Sequence, residues 1–192
     1  QKTAYEIRNC DWSSDVCSSD LVPSSLDIYQ THRDVMALFP TTEDSSPRQH
    51  MRVLYIVDGH VARIQSTTPP LCAHTATQVR AGHDGWMRFQ SVASPQKREA
   101  RTGKIVALPH EQTVDWFASK LLGFESREIR VTDRSIVYGR KGEHAITHLR
   151  VQVEGDVRVT DWDAAVRTMI EGIGRGRSFG LGLVDVEGLN HG

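Results

Sequence analysis

The chain is poor in cysteine. It has three in 192 residues, and two of them, Cys10 and Cys17, lie in an N-terminal tract that does not read as native protein. Asp11-Trp12-Ser13-Ser14-Asp15-Val16-Cys17-Ser18-Ser19-Asp20-Leu21 back-translates into a common short-read sequencing adapter. Gln1 to Ile7 back-translates into the flow-cell sequence that precedes it, and Arg8, Asn9 and Cys10 fill the space of an index barcode. Residues 1–21 are therefore expected to be translated library primer at the edge of an assembled contig. As a non-native scar the tract is set aside in fold reasoning and expected to make no specific contacts. On that expectation the native start, upstream of Val22, is missing. Cys72 is then the one remaining cysteine, which excludes a disulfide framework and fits a reducing cytoplasm.

An excess of one charge is also lacking. The chain has 23 basic and 24 acidic residues, and setting the tract aside leaves 21 against 20. Affinity for a polyanion then has to come from clustered charge. No apolar run is long enough for a signal peptide or a membrane span, so no membrane partner is expected. No Walker loop or acidic metal cluster is present. Cys72 and His74 stand alone. His144 and His148 fall in a predicted strand, where four residues at about 3.3 Å each put them about 13 Å apart, too far for one ion. No metal and no cofactor are expected.

What remains alternates between helix and strand signals. Ile28–Phe39 reads as a short helix stopped by Pro40, and Thr41–Arg48 as a polar surface loop. Arg52–Val57 and Val61–Gln65 read as a hairpin around Asp58-Gly59, a strong two-residue turn signal. Leu71–Asp84 reads as irregular or a weak helix. Trp86–Val92 alternates as a strand, and Pro95–Lys104 reads as a basic loop. Pro109 opens a helix in which Val114, Phe117, Ala118 and Leu121 share a face. Arg127–Val131 and Ser135–Tyr138 are predicted short strands, Gly139–Glu143 a basic turn, and Ala145–Val153 and Val157–Val159 strands around Gly155. Thr160 or Asp161 caps a helix carrying Trp162, Val166, Met169, Ile170 and Ile173 on one face. Ser178–Val186 closes as a strand. From Trp86 onward this is the βαββαβ ferredoxin-like plan with added hairpins. The first half would match that plan if its first strand were lost upstream. The expected class is α+β, with domains at residues 22–84 and 85–192.

Gly172-Ile173-Gly174-Arg175-Gly176-Arg177-Ser178-Phe179-Gly180-Leu181-Gly182 holds five glycines in eleven residues. Glycines let a backbone approach a ligand closely, and the two guanidiniums suit phosphate. A mobile helix-to-strand connection is the alternative. The loop follows a helix, the reverse of the dinucleotide fingerprint, which weakens a nucleotide-binding reading.

Tyr29 and His32 stand three residues apart on a predicted helix and share a face. Histidine titrates near neutrality, a phenol donates to phosphate oxygens, and Arg33 offsets developing negative charge. Those parts suffice to cleave RNA through its own 2′-hydroxyl. The alternative is that His32 is one of nine histidines on a surface helix. Lys97, Arg98, Arg101 and Lys104, and the Arg140-Lys141 turn, fit phosphate contacts or, equally, solvated hairpins.

Taken together, five stretches resemble the CRISPR-associated CasE family. They are Tyr29-x-x-His32-Arg33, the hairpin ending Gln65-Ser66-Thr67-Thr68-Pro69, Met87-Arg88-Phe89 through Arg98, Arg101-Thr102-Gly103-Lys104, and Gly172 through Gly182. The resemblance implies two tandem ferredoxin-like domains, and this sequence is expected to depart from it in lacking the family's first strand. It implies metal-independent cleavage of precursor CRISPR RNA beside a repeat hairpin, leaving a 2′,3′-cyclic phosphate. It also implies that the enzyme stays on its product as a Cascade subunit. His32 would be the general acid/base, Tyr29 a positioning group and Arg33 a phosphate neighbour. Arg140 and Lys141 would enter the stem's major groove. Gly174, Arg175, Gly176, Arg177 and Ser178 would hold RNA. A non-cleaving hairpin-binding subunit is the alternative, and retention of Tyr29 with His32 argues against it.

Overall fold

The computed structural model describes residues 5–11, 27–42, 46–58, 61–71, 75–78 and 85–187. In chain order the elements are β1 (Tyr5–Asp11), α1 (Ile28–Ala37), α2 (Pro47–His50), β2 (Leu54–Asp58), β3 (Val61–Ser66) and β4 (Thr75–Gln78). There follow β5 (Met87–Ala93), the small hairpin β6 (Gln96–Arg98) and β7 (Ile105–Ala107), α3 (Thr113–Lys120), β8 (Phe124–Lys141), β9 (His144–Val159), α4 (Trp162–Glu171) and β10 (Val184–Val186). Two antiparallel four-stranded sheets result, ordered β2-β3-β1-β4 and β10-β5-β9-β8. Each places the fourth, first, third and second strands of a βαββαβ unit side by side, the tandem ferredoxin-like plan. In the first unit the β3–β4 connection carries no second helix among the described residues.

The first sheet corrects one expectation. Tyr5–Asp11, inside the tract read as primer, pairs with both β3 and β4. The physical reason lies in the backbone. An empty slot between two strands leaves two rows of N–H and C=O groups unpaired, which is costly. Any proline-free segment can satisfy them, whatever its origin, and residues 5–11 contain no proline. The first strand position is therefore occupied, where the reading of residues 1–21 as primer implied its loss.

Smaller corrections follow the same logic of pairing over local pattern. Thr75–Gln78, in a stretch expected to be irregular or a weak helix, is strand β4. Register pairs Asp58 with Val61, so the two-residue loop is 59–60 and Asp58 ends its strand. The loop residues, like Cys72 and His74, lie outside the described residues. Two short strands around Asp133-Arg134 are one strand, β8, with register shifts between Arg127 and Arg130 and between Val131 and Asp133. Cross-strand ion pairs take the place of an apolar alternation there: Arg130–Glu154 at 2.7 Å, Arg150–Asp133 at 2.5 Å and Arg127–Asp156 at 3.3 Å. Charge on this edge strand also blunts edge pairing. The basic loop after Pro95 begins as strand β6. The last strand shortens to Val184–Val186, because Arg177–Phe179 forms a 3-10 turn instead.

Three cores hold these layers. Val35 of α1 and Phe39 just beyond its end pack on Val53 and on Tyr55, Ala62 and Ile64 of the first sheet. Phe117, Leu121, Met169 and Ile173 pack on Phe89, Val151, Val153 and Val184 of the second. The third core joins the sheets: Leu54 and Ile56 meet Val92, Leu181 and Leu183. Strand β2 thus buries both faces, with Tyr55 turned to its own helix and Leu54 and Ile56 to the other domain. Its unbroken apolar run, Val53 to Val57, is what two-sided burial requires. Fully burying each large aliphatic contributes about 1.5–3 kcal/mol.

Helix α1 is fixed at its start. Asp27 caps it, its Oδ1 accepting from the N–H groups of Tyr29 (2.8 Å) and Gln30 (3.1 Å). The same oxygen accepts from the Arg140 N–H at 3.4 Å, which ties the helix start to β8. Gly139 makes the approach possible. A Cβ there would lie 2.9 Å from Asp27 Oδ1, from Ile28 Cγ1 and from the Tyr29 nitrogen. Gly139→Ala should lower stability by about 1–3 kcal/mol, the usual range for overpacking, measured by urea denaturation; an unchanged midpoint would show that the contact is not tight.

Candidate active site

His32 sits on α1, half-buried, with its Nδ1 buried and without a hydrogen-bond partner. A buried imidazole nitrogen without a partner is uncommon and is often found where a ligand supplies it. Burial lowers the His32 pKa, and the positive charges of Arg48 and Lys141 lower it further. Near neutral pH it is therefore held in the basic form that can accept a proton.

Each neighbour arrives from a different element. Arg48 sits on the single-turn helix α2, its Nη1 donating to the Val53 carbonyl at 3.1 Å. Lys141 is the last residue of β8, at the tip of the β8–β9 hairpin, where Lys141 pairs with His144. Strand periodicity puts Lys141 on the face of Val137 and Gly139, which meets α1, and Arg140 on the opposite face with Tyr138. Arg140 and Lys141 therefore part company, and Lys141 alone of the two weighs on His32.

The glycine-rich loop closes the site. Its 3-10 turn Arg177–Phe179 is bracketed by Gly176 and Gly180, both left-handed with φ of 80° and 72°. A side chain at Gly180 would collide with the Tyr55 ring, a Cβ lying 2.9 Å from its Cε2. The Tyr55 hydroxyl donates to the Ser178 carbonyl at 2.9 Å, and burial pushes its pKa up. Phe179 is thereby held between two imidazoles. His32 meets it edge-on at 6.1 Å between centroids, and His148 of β9 lies tilted against it at 5.4 Å. The Nδ1 of His148 is also buried without a partner, and burial lowers its pKa. Arg177 donates through Nε to the Gly174 carbonyl at 3.1 Å, and its charge lowers the pKa of Arg48 after burial has done so. Two guanidiniums close enough to oppose one another make a place for an anion. A cavity of about 280 Å³ lies beside this cluster, lined by Ile28, Thr31, Tyr55, Val137, Phe179 and Leu181 among others.

The expected residues divide into groups. His32, Lys141, Arg177 and the turn around Ser178 come together. Tyr29 is half-buried one helical turn before His32, against Gly139. Arg33 is exposed, one step round the helix. Lys97, Arg98, Arg101 and Lys104 are exposed on the β6–β7 hairpin, away from His32, with Lys97 Nζ on Gln112 Oε1 (3.2 Å) and Arg98 Nη1 on the Gly103 carbonyl (2.6 Å). Gly174 and Arg175 lie beside that hairpin, Arg175 bridging to Ser94. Arg48 and His148 were not anticipated. Arg48 follows a Ser/Pro-rich stretch with no pattern of its own. The sequence presents His148 only as a candidate metal ligand, since nothing local says which strand face meets the other domain. Among the described residues no group of three or more His, Cys, Asp or Glu side chains could hold a metal ion, and no helix is long and apolar enough to cross a membrane.

The charge arrangement has a direct consequence. The His32 imidazole should titrate below the usual value near 6.5. Arg48→Gln should move its midpoint upward, because removing a positive neighbour favours the imidazolium, while burial still holds it down. NMR titration of the ring measures both. A midpoint unmoved by the substitution would place Arg48 outside the site.

Comparison with known proteins gives this site a context. The profile of the family described as "CRISPR associated protein" matches residues 19–187. The "CRISPR-associated endoribonuclease Cse3" of Thermus thermophilus is 36% identical over 116 residues, covering 52% of this chain and 54% of that protein, so the chain spans about half the length of the curated relative it matches. The structure of Thermus thermophilus Cse3 bound to an RNA representing a pre-cleavage complex superposes with a TM-score of 0.73 at 22% identity, covering 96% of this chain and 98% of the other. A chain of a CRISPR RNA-guided surveillance complex superposes with a TM-score of 0.64 at 19% identity, over 96% and 98%. At these identities the two structures show a shared fold. The family profile spans nearly the whole chain, and the chain belongs to the CasE family of CRISPR-associated proteins, as its motifs implied.

Proposed function

We propose that the chain is an endoribonuclease that cleaves precursor CRISPR RNA at the repeat hairpin through 2′-hydroxyl attack, without a metal. One observation carries this: a half-buried imidazole held neutral, with an unpartnered nitrogen, beside Arg48, Arg177 and Lys141. The likeness to an endoribonuclease in the same family supports it.

The reaction needs three things. His32 takes the proton of the 2′-hydroxyl, whose oxygen attacks the adjacent phosphorus. Arg48 and Arg177 offset the charge that builds on the pentacoordinate phosphorus, and Lys141 adds to them. The P–O5′ bond breaks, and the leaving oxygen receives the proton that His32 took from the 2′-hydroxyl. His148, across Phe179 from His32, is the second group able to carry one. The products are a 2′,3′-cyclic phosphate and a free 5′-hydroxyl. Tyr29 orients the phosphate from the same helical face, and Arg33 serves the flanking backbone. Arg140, with Tyr138, is presented to the stem from the outer face of the hairpin. The cleaved RNA stays bound, and the protein acts as one subunit of a Cascade surveillance assembly in a prokaryotic cytoplasm. The likeness to a chain of such a complex supports that partnership.

His32→Ala should slow single-turnover cleavage of a repeat hairpin by about 10²–10⁴-fold, the usual loss for a general acid or base. Hairpin affinity should stay nearly intact, because the cations remain. Cleavage by the variant at the parent rate would remove His32 from the catalysis, and a parent protein that binds the hairpin without cleaving it would leave a non-cleaving RNA-binding subunit as the better reading. Cleavage should also survive a chelator and fail on a hairpin with a 2′-deoxy sugar at the cleavage site. Activity lost to the chelator and restored by a divalent ion would favour a metal mechanism.

A further inference from the structure

A second basic feature lies on the other side of the glycine-rich loop. A groove of about 530 Å³ runs between α3 and α4, closed at one end by β6 and at the other by the loop. Six cations line it: Lys97, Arg98, Lys120, Arg167, Arg175 and Arg177. Among the described residues the one carboxylate in the lining is Glu171, which is already engaged by Arg52 at 3.5 Å. Part of its remaining wall is apolar, with Trp116, Ile105 (38% exposed) and Leu122 (64% exposed) beside the polar Ser94, Gln96 and Thr168.

Arg177 belongs to both places. Its charge acts on Arg48 beside His32, and its side chain lines the groove. A phosphate chain passing His32 therefore meets the groove at Arg177 without leaving the positive field. The lining favours one strand. A single strand can lay its phosphates on the cations and its unpaired bases on the exposed apolar residues, whereas a duplex keeps its bases stacked inside. We propose that the groove is a track for the single-stranded RNA flanking the hairpin, with Lys120 and Arg167 as contacts that the hairpin itself does not reach. The proposal rests on the RNA-processing reading above.

The test uses binding, which is independent of cleavage. Two hairpins are compared, both blocked by a 2′-deoxy sugar at the cleavage site. One is bare, and the other is tried with a single-stranded extension on each side in turn. The full-length protein should bind one extended RNA more tightly than the bare hairpin, with a steeper salt dependence. Lys120→Gln combined with Arg167→Gln should erase that increment and lower the slope for the extended RNA by about 0.7 per lost phosphate contact. Both side chains are exposed, so the fold should tolerate the change. Equal binding of bare and extended RNA by the parent protein would overturn the proposal. So would a full increment in the double variant, or a variant that loses association with partner subunits while keeping the increment. Failure of the nuclease reading would show separately, as parent protein that binds these RNAs and cleaves none of their unblocked forms.

Discussion

Tyr55 holds the two domains in the register that makes a site. Its ring lies in the core of the first sheet, its edge meets Gly180, and its hydroxyl takes the Ser178 carbonyl. That hydrogen bond fixes a turn that has little structure of its own. Phe179 is then placed between His32 of one domain and His148 of the other. Supporting contacts run alongside: Gln65 Nε2 on the Met169 carbonyl at 2.7 Å, and Arg63 on Asp185 at 2.8 Å. The first of these is buried, so breaking it would leave a polar group unsatisfied. The site is a property of the interface, and neither domain carries it alone.

Several parts of this arrangement were legible in the residues. Tyr29 and His32 show their shared face through spacing, and the glycine-rich loop shows its tight turns through composition. The second βαββαβ unit follows from alternating helix and strand signals. What was not legible depends on contacts distant in sequence. Arg48 counts only because the fold brings it beside His32 and Arg177, a tertiary fact with no local signature. His148 acts on one strand face only because that face meets α1 and Phe179. Arg140 and Lys141 look like one basic turn, yet a strand separates their side chains onto opposite faces. In the same way β8 looked like two strands, because Asp133 and Arg134 resemble turn residues until their partners on β9 are known.

The strand formed by residues 5–11 carries a related lesson. Ladder hydrogen bonds are made by the backbone and ask little of the side chains. A segment whose residues give no reason to expect a central strand can still occupy one, when the flanking strands leave the slot open. Pairing of β1 with β3 and β4 therefore speaks to the demand of the sheet and is silent on where the segment came from.

The proposed chemistry rests on neutral imidazole and fixed positive charge. The charges that depress His32 are those that would welcome a phosphate, so the site is arranged to be basic when empty and to favour the imidazolium once an anion is bound. The most direct measurement of this account is the mass of the cleaved RNA ends. Attack by the 2′-hydroxyl leaves a 2′,3′-cyclic phosphate on the upstream fragment and a 5′-hydroxyl on the downstream one. A 3′-hydroxyl paired with a 5′-phosphate would mean that water attacked the phosphorus, and would contradict it.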